Sequence, residues 1–133
     1  MTDTARDIDA SLSALVDIMA RLRDPERGCP WDLKQDFHTI VPHTLEEAYE
    51  LADAVESGET AEIKDELGDV LFSVINYARF LNMDPESALE RTNKKFIGRF
   101  THMERQIKEQ GLLMQEMSLS ELEAFWRSAK KQD

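Results

Sequence analysis

The stretch TLEEAYELADAVESGETAEIKDELGDV, Thr44 to Val70, decides the architecture of this chain. Leu45, Ala48, Leu51, Ala52 and Val55 recur at helical spacing up to Ser57-Gly58, and Ile63, Leu67 and Val70 resume that spacing after it. A glycine between two such runs ends the first helix, so the pattern predicts two helices joined by a tight turn and packed antiparallel. Thr44-Leu45-Glu46-Glu47 matches a capping box and sets the start of the first of them near Pro42 or Thr44. The second runs from about Thr60 to Asn82, with Leu71, Val74, Ile75 and Ala78 extending its core side.

Outward from this hairpin the same spacing recurs. Leu12, Leu15, Val16, Met19 and Leu22 stripe a helix from about Asp9 to Arg23, which Asp24-Pro25 breaks. Residues 27–32, Arg-Gly-Cys-Pro-Trp-Asp, read as an ordered loop with apolar surface to pack. Asp84-Pro85 starts a further helix striped by Leu89, Phe96, Phe100, Met103 and Ile107 and ended by Gly111. Ser118-Leu119-Ser120-Glu121 caps a last short helix carrying Leu122, Phe125, Trp126 and Ala129. No stretch reads as a strand, a repeat or low complexity. The expectation is one all-α domain over residues 1–133, about five helices built on an antiparallel helical hairpin, with residues 1–8 and 131–133 as frayed tails.

Bulk composition agrees. The 133 residues suffice for a single core, and 41% hydrophobic with 32% charged residues is ordinary for a globular chain. Five glycines and four prolines allow long helices. The first residues carry acids and no apolar run, so no signal peptide is expected. No run reaches membrane-spanning length, and the single Cys29 cannot form an internal disulfide, so a cytoplasmic setting is expected. A net charge of −11 argues against nucleic acid as a partner, and the lack of a spanning apolar run argues against a membrane. It leaves room for a small phosphorylated ligand where cations neutralise the acids.

The 27 acidic residues would be a solvated surface but for the placement of five of them. Glu47 and Glu50 are three apart, Glu46 and Glu50 four apart, and Glu66 and Asp69 three apart, so each pair shares a helix face. Glu50 lies eight residues before Gly58 and Glu66 eight after it; Glu47 lies eleven before and Asp69 eleven after. Across an antiparallel hairpin both pairs stand level, roughly 12 to 17 Å from the turn. Apolar neighbours set them beside the buried stripe. Carboxylates converging there repel one another unless protonated or bound to cations, and an all-oxygen donor set favours Mg²⁺ or Mn²⁺.

Glu46-Glu47-Ala48-Tyr49-Glu50 followed by Glu66-Leu67-Gly68-Asp69 resembles the E-E-x-x-E…E-x-x-D signature of MazG-like nucleoside triphosphate pyrophosphohydrolases. The likeness extends to Met19–Pro25 and Gly28-Cys29-Pro30-Trp31-Asp32, to the K-F-x-x-R-F element at Lys95–Phe100, and to the W-x-x-x-K element at Trp126–Lys130, nearly the whole chain. It implies an all-α, dimeric or higher-order enzyme that uses Mg²⁺ to convert an NTP or dNTP to the monophosphate and pyrophosphate, in keeping with a house-cleaning role. By position Glu47, Glu50, Glu66 and Asp69 are implied metal ligands, with Glu46 beside them to orient or deprotonate water. Lys95, Arg99 and Lys130 are the implied phosphate contacts, and Trp126 an aromatic of the nucleotide site. A single MazG-like domain is expected over these 133 residues, in contrast to the tandem copies of long MazG proteins, and Asp65 stands where some relatives have Glu.

Each of these also has a plainer reading. Lys95 and Arg99 suit a solvated basic face as well as a phosphate clamp; Trp126 and Trp31 suit core or interface anchors as well as stacking on a base. Lys34 and His43 follow or precede these segments and are candidates for a base or phosphate contact. Cys29 lacks a histidine context and reads as packing. Narrower substrates such as dUTP, dCTP or phosphoribosyl-ATP, or a non-catalytic metal- or nucleotide-binding helical module, are the alternatives to general NTP pyrophosphohydrolysis.

Overall fold

The structure, a computed structural model, describes residues 12–132. Among them are six α-helices: α1 (Leu12–Leu22), α2 (Pro30–Lys34), α3 (Phe37–Ser57), α4 (Thr60–Phe80), α5 (Pro85–Glu109) and α6 (Leu119–Lys130). A 3-10 turn at Met114–Glu116 precedes α6, and no described residue is in a strand. The expected all-α class holds. Asp9 as the start of the first helix, the 1–8 tail and Asp133 lie outside the described residues. The chain divides between Glu86 and Ser87 into two compact units.

In the first unit α3 and α4 form the expected hairpin, and α1 packs on α4. Gly58 makes the turn: its φ of 75° is left-handed, and its N–H donates to the carbonyls of Ala54 and Val55. The start of α3 departs from the sequence reading. It lies at Phe37, not near Pro42 or Thr44, because Asp36 is a better cap than Thr44. The Asp36 carboxylate accepts from the N–H groups of His38 and Thr39 at 2.8 and 3.0 Å, and Thr39 Oγ1 accepts from the Asp36 N–H at 2.8 Å. Pro42 is then inside the helix, where it removes one ladder donor. The carbonyl it would have bonded belongs to His38, which is exposed to water. Thr44 is no cap. Its hydroxyl donates to the Ile40 carbonyl at 3.3 Å and sits 2.8 Å from the Tyr77 hydroxyl.

Residues 27–32 also differ from expectation, since Pro30 opens the one-turn helix α2 and brings the helix count to six. Gly28 is required ahead of it: a Cβ there would collide with the backbone of Leu22 and Asp24. Two arginines fasten this short helix. Arg23 Nη1 donates to the carbonyls of Gln35 (3.0 Å) and Asp32 (3.4 Å), while Arg79 Nη1 lies 3.7 Å from the Asp32 carboxylate and donates to the Met19 carbonyl at 3.2 Å. Both guanidiniums lie over the Phe80 ring, at 4.4 and 5.0 Å from its centroid.

The core of this unit is small. Met19, Ile40, Ala54 and Ala78 are buried, but Leu67, Leu71 and Val74, expected on the core side of α4, are about half exposed. A two-helix hairpin has two apolar faces, and α1 covers only part of one. In the second unit Met103 and Ile107 of α5 and Ala129 of α6 are buried, with Phe100, Leu122, Phe125 and Trp126 packed against them. Ser118 caps α6 as expected, in a reciprocal box with Glu121.

Candidate active site

The hairpin brings its acids together. Glu47 of α3 and Glu66 and Asp69 of α4 each offer a carboxylate oxygen, and these oxygens lie within 4.8 Å of one another. Glu50 is close to both glutamates. Burial first, and then the charges of Glu50, Asp69 and Glu46, push the Glu47 carboxyl above its ordinary value. Burial, followed by Glu50, Asp69 and Glu47, does the same to Glu66. Glu46 is exposed beside them.

In the same two glutamates, Glu47 Oε2 and Glu66 Oε2 are out of reach of water and have no hydrogen-bond partner. Leaving a carboxylate oxygen so is unfavourable, and a hard cation coordinated by it removes the cost. The donor set is all oxygen. Its chemistry and its orphaned atoms fit a divalent metal at Glu47, Glu66 and Asp69; Glu50, the fourth ligand expected from the sequence, neighbours the two glutamates but is outside that converging trio. The second face of Glu50 and Glu66 borders an acidic cleft shared with Asp53, Glu62 and Asp65.

A cavity of about 280 Å³ opens beside the cluster, with Glu47 and Asp69 in its wall. Trp31 and His43, both candidates from the sequence, line it together with Phe72, and their rings meet edge-on with centroids 5.2 Å apart. Lys34 ends α2 as an exposed residue and is not among the lining residues. The remaining wall contains Asp32, Ile40, Ser73 and Asn76, of which only Asp32 was named from the sequence, as the end of the Gly28–Asp32 element, and none was given a role. A signal for two of them was present: Ser73 and Asn76 follow Asp69 by four and seven residues, the period of one helix face. Asp32 gave no such signal, because its place depends on how Arg23 and Arg79 dock α2.

The other candidates belong to the second unit. Lys95 and Arg99 are four apart on α5, the former exposed and the latter half-buried. Trp126 packs on Phe96, with ring centroids 5.5 Å apart, and the Lys130 ammonium lies 6.0 Å from the Trp126 centroid. Trp126 also borders an apolar groove with Phe96, Phe100 and Leu122.

Residues 35–104 match the model of the MazG nucleotide pyrophosphohydrolase domain. The chain belongs to the MazG family. The matched segment contains all five acids, His43, Lys95 and Arg99, and ends before Trp126 and Lys130. Among curated MazG relatives, the nucleoside triphosphate pyrophosphohydrolase of Escherichia coli (strain K12) is 53% identical over 68 residues, which are 51% of this chain and 26% of that protein. The nucleoside triphosphate pyrophosphohydrolase/pyrophosphatase MazG of Thermotoga maritima is 43% identical over 84 residues, 63% of this chain and 33% of that one. The match thus spans only about a quarter to a third of these relatives. A crystal structure of a MazG-related protein from Thermotoga maritima is similar with a TM-score of 0.60 at 28% identity, covering 90% of this chain and 98% of that chain.

Proposed function

We propose that this chain hydrolyses nucleoside triphosphates, ribo or deoxyribo, to the monophosphate and pyrophosphate with Mg²⁺, for which Mn²⁺ can substitute. The observation that carries this reading is the convergence of Glu47, Glu66 and Asp69, with two unpartnered buried oxygens, in a chain of the MazG family. Held by these three and Glu50, a divalent cation would neutralise phosphate oxygens and acidify a water. Glu46, exposed beside Glu47, is suited to orient that water and take its proton. Water attack at the α-phosphorus forms one P–O bond, breaks the bond to the bridging oxygen and releases pyrophosphate. The acids lie on two helices joined by a two-residue turn, so their geometry is set before substrate arrives.

Lys95, Arg99 and Lys130 are assigned to the phosphates, and Trp126 to the nucleotide site, on the family resemblance of their elements. Trp31 and His43 are assigned to the nucleoside, since they line the cavity beside the acids. No helix of the described residues is long and apolar enough to cross a membrane, and a cytoplasmic setting would supply both triphosphates and Mg²⁺.

The test is a panel of NTPs and dNTPs with Mg²⁺, resolved by first product. Pyrophosphate is expected, and Glu50→Gln should lower kcat by at least ~100-fold. Orthophosphate as first product, or full activity in Glu50→Gln, overturns the reading. Mg²⁺-dependent binding without turnover would instead identify a non-catalytic module.

A further inference from the structure

The cavity beside the acids has a chemistry distinct from theirs. Trp31, His43 and Phe72 give it flat apolar walls, and Asp32 and Asn76 are polar groups set among them. The Ser73 hydroxyl on the same wall is already engaged, donating to Thr44 Oγ1 at 3.0 Å. Asn76 Oδ1 has no hydrogen-bond partner and is out of reach of water. Native proteins seldom leave a buried acceptor unpaired, and a ligand donor is one way to satisfy it. Asp32 is held in the wall by Arg79, whose side chain is only 8% exposed and whose Nη1 lies 3.7 Å from Asp32 Oδ1. Asn76 stands two turns beyond Asp69 on one face of α4, roughly 10 Å along the axis, a span suited to a sugar and base extending from a phosphate at the acids.

The geometry points to this cavity as the place where the substrate's base is read, with Asp32 and Asn76 as acceptors that select bases carrying an exocyclic amine. This rests on the proposed action on nucleoside triphosphates and names the substrate class within it. A carboxylate facing a guanidinium only accepts hydrogen bonds. Cytosine and adenine present an amine, N4 or N6, and guanine presents N2; uracil and thymine present a carbonyl oxygen, O4, where cytosine has its amine. An acceptor facing that ring position therefore pairs with the amine of cytosine and meets the O4 lone pairs of uracil, whose one ring donor, N3–H, lies at the neighbouring position. Sites built to hydrogen-bond a ligand group discriminate strongly against an analogue that lacks it, because their own polar atoms are then left unpaired. Asp32 and Asn76 are specificity-determining residues in this reading, and Arg79 is a positioning residue acting through Asp32.

CMP and UMP, which differ at one position of the ring, are the probes. Calorimetric titration of the full chain with each, in Mg²⁺, should show CMP binding at least about tenfold more tightly. Asp32→Asn replaces an acceptor-only carboxylate by an amide that can also donate to O4, and should bring the ratio to within about threefold of unity. Asn76→Ala should weaken CMP and leave UMP nearly unchanged; it also carries the comparison if Asp32→Asn does not fold. Equal affinities in the unaltered chain, or a ratio that survives in folded variants, overturns the inference. Discrimination between CMP and UMP without turnover of any triphosphate supports the base pocket while removing the hydrolase reading; turnover of UTP and CTP with equal kcat/KM does the reverse.

Discussion

Glu47 shows how one residue can carry a structural and a chemical reading until its neighbours are placed. As the third residue after Thr44 it matched the acid of a capping box, which would have accounted for it without a metal. With α3 capped by Asp36, that account disappears, and Glu47 is left with an unpartnered buried oxygen among three other carboxyls. The titration of this cluster follows. Glu47 and Glu66 ionise above the ordinary glutamate value of 4.5, so in that window the folded chain holds more protons than the unfolded chain. The stability linked to their protonated forms is complete below 4.5 and is lost as pH rises through the raised values. Metal-free protein should therefore lose Tm as pH rises from about 4.5 through the raised values, and Glu66→Gln should lose less. Mg²⁺ should raise Tm more at pH 7 than at pH 4, since the cation offsets the repulsion only where the acids are charged. Differential scanning fluorimetry at the two pH values, with chelator and with Mg²⁺, checks both; a larger Mg²⁺ increment at pH 4 contradicts the metal assignment.

At the scale of elements, the hairpin was legible because its information is local. Helical spacing on both sides of Gly58 places the helices, and equal counts to either side place the acids level. The φ of 75° at Gly58 makes that turn dependent on glycine. Gly58→Ala should destabilise by about 1 kcal/mol through left-handed strain at the new Cβ, since nothing stands within 4 Å to clash with it. Urea denaturation followed by circular dichroism measures this, and the loss should appear in the midpoint and not in the slope. The misplaced start of α3 has an equally local cause. Proline discourages helix to its N-terminal side, but its cost is one missing donor when the matching carbonyl can reach water. The Asp36 box outweighs that cost. Its carboxyl titrates below its ordinary value because the Thr39 and His38 amides donate to it, so the cap is fully present above pH 3.8 and fails as pH falls through the lowered value.

For the molecule as a whole, the question is what covers the hairpin. Tyr49 is 71% exposed, Leu45 55% and Leu71 51%, and each lies on a stripe spaced for one helix face. Such stripes are what a second copy would bury, and this supports the expected homodimer or larger homo-oligomer. Sedimentation at micromolar concentration should show more than a monomer, and Leu71→Glu should shift it to a smaller species. A monomer in the unaltered chain counters the idea. Arg79 makes a different whole-chain contribution, since it ties α1, α2 and α4 through Met19, Asp32 and Phe80. Arg79→Met should cost about 3 kcal/mol by leaving the Asp32 carboxylate without its cation, measured by chemical denaturation.

The division between what was readable in the chain and what was not follows the range of the forces involved. Helices, their caps and the spacing of acids along them depend on neighbours within four residues, so all-α architecture, the Gly58 hairpin and the five acids were written in the sequence alone. Asp32 enters the cavity wall only because Arg23 and Arg79, the latter 47 residues away from it, dock the one-turn α2 against Phe80. The exposure of Leu67 and Leu71, read beforehand as core, depends on which other helices arrive to cover them. Local patterning specifies that a face is apolar; only tertiary packing decides what, within one chain, it is buried against.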